Sequence, residues 1–508
     1  MIKSRANIEA TSKFCNKFPD LMHKKLGKTG LSVSACGFGA YRVDYRVKEH
    51  TDALEYAILN GINLIDTSAN YSNGGSEILA GNVIEKLVTE SQIKREEIII
   101  VTKGGYMQGK NLEAAMKMKA DGIGYPEVTE YSENLWHCIH PDFLRDQITF
   151  SLEKLKLETI DVYLLHNPEY FLDSPLASEL TLLEMRHEYY SRIKKAFAYL
   201  ETETESGRIA CYGISSNSFT KEQGDQVFTS LEECIKSAEK IKQDNHFNVI
   251  QFPFNLYERG AILNKNQADD SMNLLEYAEK NNIGTMVNRP LNALTPKGLY
   301  RLADFIVNTE YMKLDEAQII AEVSLLESME EDFIKDYLEI LSLSKENSDA
   351  ISYFLKAGQL LKENWKSFGS IESFNDVKKQ FLIPRVNFAI TAIADSPNLT
   401  SEMKDRLDKI AKQVNKMMGI IETIYGIIAN SRSKDLLLIL NTGVDTKQAD
   451  KFKELTLSEK AVLLINSIDA VSCTLVGMRQ CVYADDVLKS MKSEKIKNAE
   501  EILKELKL

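Results

Sequence analysis

The stretch Asn63-Leu64-Ile65-Asp66-Thr67-Ser68-Ala69-Asn70-Tyr71 decides the fold. Apolar residues up to Ile65 read as a fully buried strand, bounded by Gly61 before it and by polar residues after it. The strand ends in an acid, and a phenol follows five positions later. A buried acid is costly unless a cation pairs with it. Two later apolar runs end in groups able to meet it. Ile98-Ile99-Ile100-Val101-Thr102 leads into Lys103, and Val162-Tyr163-Leu164-Leu165 leads into His166. An Asp, a Lys, a His and the loop residue Tyr71 thus gather at strand ends. A cation beside a tyrosine lowers its pKa, and the acid holds that cation in place. A phenol tuned in this way is a general acid/base for a carbonyl–alcohol pair.

Outward from these strands, helical and strand patterns alternate. A small hairpin about Gly27-Lys28-Thr29-Gly30 leads into a strand through Gly39. Helices are predicted at about 48–60, through Ile78 to Leu87, from Leu144 to Leu155, and at about 186–205, 230–242 and 271–281. Strands are predicted over Ile209–Ile214, Val249–Phe252 and Ile283–Val287. That gives seven strands, and an eighth appears only near the C-terminus, as Cys473–Val476 between helices at about 457–467 and 482–491. Thr456 and Glu459 form a capping-box signature ahead of the first of these. Strands separated by helices imply parallel pairing with right-handed crossovers. The fold class is α/β, a (β/α)8 barrel of the TIM type, with a helical insertion between strand seven and the last helix–strand pair. Asp66, Lys103 and His166 fall at C-terminal strand ends, where such barrels carry their functional groups.

The expected divisions are an N-terminal arm at 1–23, the barrel's first part at 24–304, the insertion at 305–455, the barrel's last part at 456–492 and a C-terminal surface helix at 493–508. Gly104 to about Pro141 reads as a long loop. In the insertion, Met403, Leu407, Ile410, Val414, Met417, Ile421, Ile424 and Ile428 alternate by four and three. That narrow apolar stripe suits a helical bundle, and it suits a homo-oligomer contact equally well. Pro384 breaks the helical pattern, and Asp395-Ser396-Pro397-Asn398 reads as a loop.

Composition sets bounds. With 508 residues, 44% of them hydrophobic, the chain is able to bury a large core. A net charge of −12 argues against nucleic acid or an anionic membrane surface as partner. Seven scattered cysteines without a Cys-x-x-Cys fit reduced thiols. With no apolar leader and no membrane-length run, a cytoplasmic location is expected.

The motifs also resemble those of a known family. Asp66 and Tyr71 in "DTSANY", Lys103 in "VTKGGY" and His166 in "LLHNPE" are similar to the catalytic tetrad of the aldo-keto reductases. "KLGKTGLSVSACGFG", "GRIACYGISSN", "VIQFPFNL", "NRPL" and "TLVGMR" support the likeness, over about 24–300 and 455–492. The resemblance implies a nicotinamide cofactor whose carboxamide is held by Ser215, Ser216, Asn217 and Gln251. It implies a phosphate turn at Gly477 with Arg479 on a 2′-phosphate, favouring NADP(H) over NAD(H). Asp485-Asp486 stands where relatives carry an acid–Asn pair, and two acids would oppose that phosphate. Relatives often stack an aromatic residue on the nicotinamide just before a Ser-Pro-Leu. Here Asn288-Arg289-Pro290-Leu291 stands there, and Arg289 is expected to reach a phosphate or a substrate anion.

No Gly-x-Gly-x-x-Gly follows a strand, which disfavours a Rossmann domain. Trp136-His137-Cys138-Ile139-His140 is too tightly spaced for a common zinc site, so no metal is expected. Tyr41, Tyr106 and His140 are instead candidates for the wall of a pocket taking a small carbonyl or alcohol substrate. The rival reading is a nucleotide-sensing regulatory or scaffold protein that engages a partner through the insertion, a role the resemblance allows because potassium-channel β subunits share it.

Overall fold

Alternation along eight short strands builds the core. The computed structural model describes residues 1–508 except 296–297, 306, 342, 395 and 507–508, with the side chains of 446 and 447 also outside the description. Asp395 of the expected loop and the last two residues of the expected C-terminal helix therefore lie outside the described residues. The strands are β1 (Cys36–Gly39), β2 (Leu64–Asp66), β3 (Ile99–Gly104), β4 (Ile160–His166), β5 (Ile209–Ser215), β6 (Phe247–Pro253), β7 (Gly284–Asn288) and β8 (Cys473–Val476). They close into a barrel in sequence order, and every neighbouring pair runs parallel. β8 pairs with β7 through Met286↔Cys473 and Val287↔Thr474, and with β1 through Thr474↔Cys36.

Successive strand residues point to opposite faces. Leu64, Ile99, Val101, Val162, Leu164, Cys211, Val249, Met286, Cys473 and Leu475 share one buried cluster with Leu26, Leu31 and Val33 of the N-terminal hairpin. The hairpin, His23–Lys25 paired with Ser32–Ser34, thus closes the end of the barrel where the strands begin. Each buried aliphatic side chain there stabilises the fold by about 1.5–3 kcal/mol. At the other end, the parity that buries Leu64, Val101, Leu164 and Val249 carries on to Asp66, Lys103, His166 and Gln251. The core pattern itself therefore aims the polar groups at the mouth.

The expected loop from Gly104 to Pro141 is built instead from short elements. Tyr106–Met107, Leu135–His137 and Thr129–Ser132 form a three-stranded antiparallel sheet, with a helix over Lys110–Ala120 between the first and last of these in the chain. Met107, Leu112, Trp136, Cys138 and Phe143 give this excursion a small core of its own.

The chain divides into two compact units, Met1–Leu302 with Ile439–Leu508, and Ala303–Leu438. The helical unit ends at Leu438, earlier than the expected 455. A helix over Ser401–Gly443, part of this unit as far as Leu438, carries the heptad stripe. Met403, Leu407, Ile410, Val414, Met417 and Ile421 are buried in the unit's own core beside Val323, Leu326, Phe333, Leu361 and Phe374, whereas Ile428 is 40% exposed. The stripe is thus spent on intramolecular packing over most of its length. Pro384 stands at the second residue of a helix, Ile383–Ala394, that follows a π-helical turn at Lys378–Leu382. The helical run is continuous from Ile371 to Ala394, so Pro384 sits where the ladder shifts to π spacing, an irregularity that takes up its missing N–H, and the expected break is absent. The C-terminal helix, Ala499–Glu505, turns Ile502 and Leu503 inward, so one of its faces is core rather than surface. No helix of the described residues is long and apolar enough to cross a membrane.

Candidate active site

Asp66, Lys103 and His166 are the last or next-to-last residues of β2, β3 and β4, and the pleat turns all three inward. Lys103 Nζ donates to Asp66 Oδ2 at 2.8 Å, to the Thr67 carbonyl at 2.9 Å and to the Tyr71 phenol oxygen at 3.2 Å. Three acceptors around one ammonium satisfy all its hydrogens, which is how a fully buried lysine keeps its place. Tyr71 opens a tight turn, Tyr71–Gly74, in which Ser72 and Asn73 both have positive φ (51° and 54°). That strained turn swings the ring back over Lys103, whose nitrogen lies 4.7 Å from the ring centre.

Burial governs the titration of the site. It pushes the Tyr71 phenol well above its usual value, with Asp66 and Tyr41 adding to the rise. The lowered phenol pKa expected from the cation is therefore not what the structure shows. Lys103 is the nearest positive group, but desolvation of the ring outweighs it. Burial also raises Asp66 and lowers Lys103, and their mutual attraction opposes both changes. His166 is driven well below its usual range by burial, by Lys103 and by His137, so its imidazole is neutral. The site thus presents a protonated phenol and a neutral imidazole beside a buried ion pair.

Gln251 links this group to the expected cofactor residues. Its amide nitrogen donates to Asp66 Oδ1 at 2.8 Å, and its amide oxygen accepts from Ser215 Oγ at 3.0 Å and from Asn288 Nδ2 at 3.3 Å. Ser216 has the opposite parity. Its hydroxyl is buried against Ser218 and Thr229 within its own turn, so it does not join Ser215 and Gln251. The Asn217 side chain is exposed, and its backbone N–H donates to Glu169 Oε1 at 2.7 Å.

Arg289, held at a φ of 53°, donates to Glu258 at 2.7 Å and so has a carboxylate partner where an anion was expected. Gly477 and Arg479 follow β8. Burial, Arg301 and Arg42 together lower the pKa of Arg479, and among the described residues none of these three arginines has an acidic partner. Of the two acids that follow, only Asp485 has a hydrogen-bond partner among the described residues. Tyr56 donates to Asp485 at 2.6 Å, and Asp486 has Glu459 and Lys489 as its electrostatic neighbours.

The wall of the mouth is aromatic. Tyr41 meets Tyr71 edge-on at 5.2 Å, and Tyr106 meets His166 edge-on at 4.6 Å. Tyr106 also packs on Tyr170 at 5.3 Å and accepts from Asn167 Nδ2 at 2.6 Å. His140 is not part of this wall. It caps the helix Pro141–Leu155, accepting the Asp142 N–H. The histidine of that stretch at the site is His137, cross-strand from Tyr106. Its Nε2 donates to the His166 carbonyl at 2.7 Å. Gly105 makes room for this contact, since a Cβ there would meet His137 Nε2 at 2.6 Å and the His166 oxygen at 2.8 Å. Sequence reasoning took His140 rather than His137 from its stretch and missed Asn167, Tyr170 and Ser68. Asn167 lies within the "LLHNPE" motif and Tyr170 directly follows it, the one signal able to find them. Among the described residues no group of three or more potential metal ligands converges.

Comparison with known proteins gives this geometry a family. The chain is 27% identical over 169 residues to an NADH-specific methylglyoxal reductase of Escherichia coli, covering 31% of this chain and 46% of that one. It is 28% identical over 209 residues to a 6-dehydroglucose reductase of Novosphingobium aromaticivorans, covering 39% and 52%. The chain thus spans about half the length of the curated relatives it matches. Among solved structures it resembles the holo form of aldo-keto reductase AKR11C1 from Bacillus halodurans, at 13% identity and a TM-score of 0.44 over 95% of this chain and 96% of that one. A Klebsiella pneumoniae aldo/keto reductase in complex with NADP and acetate matches at 18% identity and a TM-score of 0.33, over 53% and 68%. The model of the Aldo/keto reductase family matches residues 36–390, a span that holds Asp66, Tyr71, Lys103 and His166, and the chain belongs to that family.

Proposed function

We propose that this chain is an oxidoreductase that interconverts a small carbonyl compound and its alcohol with NADP(H). The observation that carries the reading is the position of Lys103 Nζ, 2.8 Å from Asp66 and 3.2 Å from Tyr71 at the mouth of the barrel. When bound, a nicotinamide cofactor supplies or accepts the hydride. The chain's own residues handle the proton and the charge. Tyr71, held protonated by burial, donates its phenolic proton to the substrate oxygen as that oxygen becomes an alkoxide. Lys103 stands ready to stabilise the phenolate left behind, and Asp66 keeps the ammonium in place. Neutral His166 orients the substrate oxygen by a hydrogen bond. Tyr41, Tyr106 and Tyr170 give the substrate an aromatic wall beside these groups.

The chain's donors fit the cofactor. Ser215 and Gln251 supply a hydroxyl and an amide beside the tetrad, which match a carboxamide's donor and acceptor. Arg42, Arg301 and Arg479 without an acid among them suit a phosphate. Asp485, which accepts from Tyr56, and Asp486 keep their acidic character, so the preference for NADP(H) over NAD(H) rests on the three arginines. The test is consumption of NADPH and of NADH over a panel of aldehydes, ketones and sugars, with Tyr71→Phe in parallel. Turnover that depends on Tyr71 supports the proposal, and a fully active Tyr71→Phe ends it.

A further inference from the structure

Ser68 Oγ lies 3.0 Å from His166 Nδ1, 2.7 Å from Asn70 Oδ1 and 3.3 Å from the Lys103 carbonyl. Asn70 Nδ2 in turn donates to Gln108 Oε1 at 3.1 Å. We propose that Ser68, Asn70 and Gln108 form a hydrogen-bond relay that sets which nitrogen of His166 carries its single proton, and so whether that ring meets a substrate oxygen as acceptor or donor. The inference rests on the reading of His166 as the residue that orients the substrate.

The reasoning is a count of hydrogens. A neutral imidazole has one N–H, and a hydroxyl has one O–H. Ser68 is buried, and its shortest contact is to Asn70, so its hydrogen goes there. Two lone pairs would repel at 3.0 Å, so His166 Nδ1 carries the proton and donates to Ser68 Oγ. That leaves His166 Nε2 as a bare acceptor, matched to the hydroxyl of an alcohol. Among the described residues Nε2 has no partner, and it is not sealed from solvent. If the Asn70 and Gln108 amides both turn over, every donor and acceptor exchanges while the heavy atoms keep their places. Ser68 then donates to Nδ1, and Nε2–H is presented, matched to a carbonyl oxygen. The backbone of His166 is anchored meanwhile by His137, whose Nε2 must be the donor because a carbonyl only accepts. One histidine thereby serves both partners of the reaction.

The test is the nitrogen-15 spectrum of the full chain labelled in histidine, with NADP+ bound and His166→Asn as the assignment control. Ser68→Ala removes the acceptor for Nδ1–H, and the ratio of Nδ1–H to Nε2–H forms is expected to fall about tenfold, the value of one lost hydrogen bond. Asn70→Asp, at a partly exposed position, puts an acceptor-only group in the relay and should raise that ratio. It also carries the test if Ser68→Ala does not fold. Ratios unchanged in both variants overturn the relay. The readout needs no turnover, so it stands apart from failure of the oxidoreductase reading, which an active Tyr71→Phe would reveal.

Discussion

The Lys103 ammonium nitrogen lies 3.2 Å from the Tyr71 phenol oxygen, within a site where burial holds the phenol protonated. The pair is therefore set to give a proton and then to stabilise the phenolate. Tyr71→Phe should lower kcat by about 10²–10⁴-fold, the usual range for a general acid. NADPH affinity, measured by fluorescence titration, should be unchanged.

Lys103 and Asp66 are both buried, with side-chain exposures of 0% and 5%. Removing one partner strands the other charge, so Lys103→Met or Asp66→Asn should each cost about 3–5 kcal/mol of barrel stability. The double variant should cost less than the sum. Urea unfolding followed by tryptophan fluorescence measures this. Of the two tryptophans, Trp136 sits in the barrel unit and Trp365 in the helical unit, so a Trp365→Phe background reports on the barrel alone.

Arg479 is half-buried beside Arg42 and Arg301. Hydrogen bonds to a charged phosphate are worth about 1.5–3 kcal/mol. Arg479→Ala should therefore weaken NADPH binding by roughly 10- to 100-fold and leave NADH binding nearly unchanged. Equal losses for both cofactors would place Arg479 away from the 2′-phosphate.

Burial raises the Glu169 carboxyl from 4.5 to about 7. Its Oε1 accepts the Asn217 N–H, and its Oε2 is sealed without a partner. The native state holds this proton over a range in which the unfolded chain has lost it. The contribution is thus complete below pH 4.5 and is lost as pH rises through about 7. It amounts to roughly 3 kcal/mol at most. Unfolding free energies between pH 5 and 8, compared with those of Glu169→Gln, measure it. The variant should flatten this part of the profile.

The barrel was legible because its strands are buried on both sides and so read as apolar runs ending in single polar groups. Asp66, Lys103 and His166 stand out against such a background. The heptads from Met403 were legible for a similar reason, a long stripe on one helix. The excursion after β3 was not, because strands as short as Tyr106–Met107 and Leu135–His137 carry too few residues to show a period. Which histidine of "WHCIH" serves the site depends on the register Tyr106↔His137, a pairing between distant residues. The choice between Ser215 and Ser216 was within reach, since strand parity from Cys211 and Gly213 selects Ser215. The titration of Tyr71 was misjudged because a list of neighbours shows the cation and not the desolvation.

The pairing of Met286 with Cys473 also governs how this chain can fold. A barrel has no stable edge to wait on, yet the strand that seals it is made only after the whole helical unit has been synthesised. Until then β1 and β7 each present an open row of backbone donors and acceptors, the arrangement that invites pairing with another chain. The entropy of closing so long a loop grows only slowly with its length. It falls further if the helical unit folds first and shortens the path between its ends. Refolding of the full chain should therefore show a late phase for closure of the barrel, and a chain truncated before Cys473 should aggregate rather than persist as a seven-stranded sheet.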